Sequence, residues 1–109
     1  MICEACDVVV VPFPFVDRAE VKRRPALVLS HKKFNQNGHT VLAMITTNAH
    51  HPWPGDHEIR QRESAGLTTL CMVRLKLFTL DNRLILKCIG HLAEADRDKV
   101  TQSIRAHVI

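Results

Sequence analysis

The chain has 109 residues, of which 46% are apolar and 24% charged. That is enough for one globular domain with a real core and too short for two. No run of 18 apolar residues exists, which excludes a membrane-spanning helix, and residues 1–7, MICEACD, carry acids and no basic leader, which argues against a signal peptide.

The net charge is +4 and it is unevenly placed. Residues 17–33 hold six bases (Arg18, Lys22, Arg23, Arg24, Lys32, Lys33) and two acids (Asp17, Glu20), an excess equal to that of the whole chain. A basic patch on an otherwise balanced protein suits a polyanionic partner, and it is also what a solvated surface loop contains. The four cysteines, Cys3, Cys6, Cys71 and Cys88, read as reduced thiols of a cytoplasmic protein. Cys3 and Cys6 form a CxxC without a second such pair, so no metal site and no cofactor are expected.

Residues 1–6 are a lead-in. Residues 8–11 are four valines, the pattern of a buried strand, and Pro12 and Pro14 end it because proline cannot donate to a ladder. The charged loop of residues 17–24 follows. Pro25 biases Arg24 toward extended backbone, and residues 26–29 begin a second strand. Residues 31–38 are polar, with a turn at Asn37-Gly38. Residues 40–45, TVLAMI, form a third strand that ends at Thr46, Thr47 and Asn48.

Residues 49–55 are a loop with two prolines around the only tryptophan, Trp53. A short strand is expected at residues 57–60, a turn at 63–66, and a longer strand at 68–77. In that strand Val73, Leu75 and Leu77 alternate with Met72, Arg74 and Lys76, so Arg74 and Lys76 are expected on one face. A turn or helical bend at residues 79–82 precedes a last strand at 84–92, with a bulge at Gly90. Residues 93–109 form a helix: Glu94, Asp96 and Asp98 suit its positive end, and Val100, Ile104 and Val108 make its apolar stripe. Several strands and one terminal helix give a mainly β fold, a small and mostly antiparallel barrel with a helix packed on it.

Residues 12–30, PFPFVDRAEVKRRPALVLS, resemble the N-terminal signature of the MazF/PemK/Kid family of type II toxin endoribonucleases. MITTN at 44–48 and VRLKLFTLDNRLI at 73–85 agree, in the expected order. The resemblance implies an SH3-like barrel of the CcdB/MazF toxin type that pairs as a homodimer. It also implies metal-independent, sequence-selective cleavage of single-stranded mRNA. There the 2′-hydroxyl attacks the neighbouring phosphorus, leaving a 2′,3′-cyclic phosphate and a free 5′-hydroxyl. Implied partners are a cognate antitoxin, whose acidic disordered tail covers the basic cleft, and operator DNA reached through the antitoxin complex.

Such cleavage requires stabilisation of extra charge on the phosphate, and a guanidinium fork matches two phosphate oxygens. The resemblance places a catalytic arginine at the Arg24-Pro25 step, a facing hydroxyl at Thr46 with Thr47 beside it, and a third catalytic position at Arg74. Kid-like relatives follow that arginine two positions later with an aspartate. Here the position is Lys76, so Arg74 and Lys76 are alternatively a pair gripping RNA phosphates. Lys22 and Arg23 are expected to clamp the backbone. Phe15, Phe34 and Trp53 are candidates to stack bases, whereas Phe13 and Phe78 read as core. His50, His51 and His57 cluster near Trp53 without metal-ligand spacing, and one of them could act as a general acid. Two other readings stay open: a non-catalytic nucleic-acid-binding module, and a gyrase-poisoning toxin of the same fold.

Overall fold

The structure, a computed structural model, describes residues 1–12, 22–47 and 50–109. Among these residues six strands form one sheet: β1 (Asp7–Pro12), β2 (Arg23–Val28), β3 (His39–Thr46), β4 (His57–Glu58), β5 (Met72–Asp81) and β6 (Lys87–His91). Their order is β4-β5-β3-β2-β1-β6, and every pairing is antiparallel. A single helical turn, α1 (Lys32–Asn35), links β2 to β3, and α2 (Glu94–His107) follows β6.

Both faces of the sheet are buried, which is why the strands read as nearly continuous apolar runs. One face carries Val8, Leu27, Ala43, Ile45 and Val73, and α2 covers it with Val100 and Ile104. The other carries Val9, Val11, Ala26, Val28, Leu42, Phe78 and Leu80, capped by Cys3 and Ile85. No residue of α2 joins this second group, so the strands must curl to keep it from water. The result is a half-barrel with a helix on its back, the mainly β architecture expected.

Several boundaries differ from those expected. The strand foreseen at 68–77 runs from Met72 to Asp81, because pairing with β3 continues through Leu42–Phe78 to His39–Asp81. The bend expected at 79–82 is displaced to a 3₁₀ turn at Asn82–Leu84. The segment 31–38 contains a helical turn rather than a plain polar loop. Its Asn35 is fully buried, donating to the Cys3 and Ser30 carbonyls at 2.8 and 3.0 Å. The bulge falls at Ile89, between the pairs Val8–Gly90 and Val9–Cys88. In α2, Val100 is buried and Ile104 half-buried, but Val108 is exposed.

Pro25 shapes the region around the predicted site. It pairs with Val10 in β1, while pairing between β2 and β3 stops one residue later, at Ala26–Met44. A proline has no donor to extend that ladder, so the two strands part there.

Candidate functional site at the parting of β2 and β3

Arg23 and Arg24 open β2, opposite Pro12 and Val11. Thr46 closes β3. Pairing between β2 and β3 ends at Ala26–Met44, so Arg24 and Thr46 stand two residues beyond it, on the two strands that diverge there. Both lie on the face that holds Val11 and Met44. Arg74 pairs with Met44 from β5 and so shares that face. Arg24, Thr46 and Arg74 thus belong to one face of the sheet, on β2, β3 and β5.

A hollow of about 290 Å³ opens where β2 and β3 part. Arg23, Arg24, Pro25, Thr47, Thr68 and Thr69 rim it, with Val10, Cys71 and Ile89 as its apolar lining. Thr47, exposed and on the side of Ile45, joins this hollow. Thr46 is 8% exposed and turned to the opposite face. The two neighbouring threonines therefore serve opposite sides of the sheet, and Arg24 borders both. Arg23 and Lys22 are exposed, as a backbone clamp requires. A larger hollow, about 460 Å³, lies between residues 4–6 and α2, and none of the expected site residues lines it.

Arg74 and Lys76 do not share an exposed face, contrary to expectation. The register shifts by two residues between the pairs Ala43–Leu77 and Met44–Arg74, which lifts Leu75 and Lys76 out of the ladder. Arg74 is 5% exposed. Its Nε donates to Asp56 Oδ1 at 3.1 Å and its Nη2 to Asp56 Oδ2 at 2.8 Å. Nη2 also donates to the His51 carbonyl at 2.9 Å. The bonds from Asp56 raise the guanidinium's affinity for its proton. The carboxylate missing from position 76 is thus supplied to Arg74 from the loop before β4. Lys76 holds its ammonium 4.8 Å from the centre of the Trp53 ring. Arg74 is built as an anchor for residues 51–56 rather than as a solvated phosphate grip.

Phe15 and Phe13 lie outside the described residues. Phe34 is exposed and Phe78 belongs to the core. Of the three histidines near Trp53, His57 is committed to structure: its Nε2 lies 2.8 Å from Asp96 Oδ1. Asp96 is 1% exposed and also accepts the Arg60 and Gln61 backbone N–H groups, at 3.0 and 2.9 Å. Burial pushes its pKa up, but these three donors outweigh it and hold the carboxyl below its ordinary value. Among the described residues no three His, Cys, Asp or Glu side chains gather as metal ligands. Asp56 was missed from sequence, and Asp96 was read only as an acid at the start of the helix, without its contacts to the β4 region. The one available hint was Arg74 in an apolar strand with a cation where an acid was due.

The family description "PemK-like, MazF-like toxin of type II toxin-antitoxin system" matches residues 4–108. The chain belongs to this toxin family. Solved MazF structures share its fold. "Mycobacterium tuberculosis toxin MazF-mt6" superposes with a TM-score of 0.73 at 17% identity, over 92% of this chain and 93% of that one. A MazE-MazF structure from Deinococcus radiodurans gives a TM-score of 0.77 at 19% identity, over 97% and 95% of the two chains. An "Endoribonuclease in complex with its cognate antitoxin from Mycobacterial species" gives 0.73 at 14% identity, over 96% and 91%. No curated protein matches significantly. Among the described residues of this PemK/MazF-like toxin no helix is long and apolar enough to cross a membrane.

Proposed function

We propose that this toxin is a metal-independent endoribonuclease that cuts single-stranded mRNA by attack of the 2′-hydroxyl, in the cytoplasm. The observation that supports the reading is the hollow at the parting of β2 and β3. A backbone-restrained Arg24 rims it together with Arg23 and Thr47, and Thr46 ends β3 next to Thr47. Arg24 takes the scissile phosphate, its fork matching two oxygens as negative charge grows there. Thr46 donates a further hydrogen bond to that phosphate, with Thr47, which lines the hollow, as the alternative donor. Lys22, Arg23 and Lys76 hold neighbouring phosphates, Trp53 and Phe15 offer ring faces to bases, and Arg74 supports the site from below.

The partners follow from the same charge. A basic cleft that attracts RNA also attracts an acidic antitoxin segment, so the two compete. The proposed assembly is a homodimer that reaches operator DNA through its antitoxin complex.

The test is incubation of the purified protein with a long single-stranded RNA in EDTA. Cleavage to cyclic-phosphate ends, reduced about 10²–10³-fold or more in Arg24→Ala, is the expected result. Thr46→Val and Thr47→Val compared side by side assign the hydroxyl. Binding without cleavage favours a non-catalytic module instead, and arrest of DNA supercoiling favours a gyrase poison.

A further inference from the structure

We propose that Trp53 is the stacking platform for one nucleobase of the bound RNA. In the free protein Lys76 occupies the ring face that this base takes, and the ammonium moves to a phosphate when the base arrives. The inference rests on the endoribonuclease reading and adds to it a defined base subsite with an exchange step.

Trp53 is 40% exposed, yet the backbone that carries it is fixed at both ends. Its own N–H donates to Asp56 Oδ2 at 3.0 Å. Asp56 is locked to Arg74, and Arg74 reaches back to the His51 carbonyl, so residues 51–56 close on one buried guanidinium. Gly55 ties the other flank to α2. It has φ +83°, Ser103 Oγ donates to its carbonyl at 2.6 Å, and an added Cβ would stand 2.6 Å from that same Oγ. Pro52 and Pro54 stiffen the turn further. An indole with so much framework behind it and so little cover in front is pre-organised to receive a flat partner. Every base has a π-face, so stacking on such a ring is the ordinary way single-stranded RNA is held.

Lys76 completes the argument. A lysine over an exposed ring is a weak contact, readily exchanged for a stacked base. Lys76 lies in the bulge of β5 and outside the ladder, so swinging away breaks no strand pairing. A phosphate flanking the stacked base is the natural partner of the displaced ammonium, within reach of its flexible four-carbon stem.

The chain has one tryptophan, so its fluorescence reports this ring alone. The experiment titrates the full chain with an end-labelled 2′-O-methyl RNA of randomised sequence, following label anisotropy and Trp53 emission together. Quenching that saturates along the anisotropy curve is expected. Lys76→Met should bind with the same quenching amplitude while its log–log salt dependence falls by about 0.7, the contribution of one phosphate on a single strand. RNA binding with unchanged Trp53 emission overturns the base subsite and leaves the nuclease reading standing. An unaltered salt slope in Lys76→Met overturns the exchange. Absence of any RNA binding overturns both this inference and the nuclease reading.

Discussion

Asp96 is a buried acid that ties two elements together. Its three donors come from the β4 region, so one carboxylate on α2 fastens the helix to the sheet edge. Its pKa is depressed in the folded state. The stabilisation is therefore present above the unfolded carboxyl value, about 3.9, and is lost as pH falls through the lower folded value. Urea midpoints measured from neutral pH downward should decline below about pH 4. Asp96→Asn, about 1.5–3 kcal/mol less stable at neutral pH, should flatten that decline. Asp56 is a separate case, because its partner is buried. Asp56→Ala strands the Arg74 guanidinium and should cost about 3–5 kcal/mol, and replacing both, as Asp56→Leu with Arg74→Met, should recover most of it. Denaturation of the two variants against the parent decides the matter.

At the scale of elements, what was legible in the sequence is what local chemistry dictates. Four successive valines, the Pro12 stop, the β-branched third strand and the acidic start of α2 each set an element where it was expected. The arginine-proline step and the threonine pair were singled out through the family resemblance, and they fall at the start of β2 and the end of β3. What was not legible depends on pairing between distant strands. The offset of β3 against β5 sends Arg74 inward and Lys76 out, and no alternation within residues 72–77 records it. The contacts of Asp56 and Asp96 were invisible for the same reason: each joins a residue more than ten positions away. Burial separates residues of one kind within a single stretch of sequence as well. Leu42, fully buried in β3, should cost about 2–5 kcal/mol on change to alanine, while Leu86→Ala, 45% exposed before β6, should stay within about 0.5 kcal/mol. Thermal unfolding of the pair measures the contrast.

At the scale of the molecule, charge and curvature act together. The basic residues at the start of β2 meet the hollow where β2 leaves β3, so the field that gathers polyanions is centred on the groups proposed to act on them. RNA affinity should fall steeply with ionic strength, and sedimentation at micromolar concentration should return a dimer. A flat salt response or a monomer contradicts the respective proposal.

The place of β1 has a consequence for how the chain is born. This first strand lies between β2 and β6, so Val8 must wait for Gly90, about 80 positions later, before its outer edge is covered. Ile89 also helps to wall the hollow. A nascent chain still short of β6 on the ribosome therefore has neither a closed sheet nor a finished hollow. Stalled chains ending before residue 87 should be digested readily by added protease, and chains released beyond α2 should resist it. For nearly the whole of its own translation, each copy therefore lacks the pocket in which its proposed chemistry would take place.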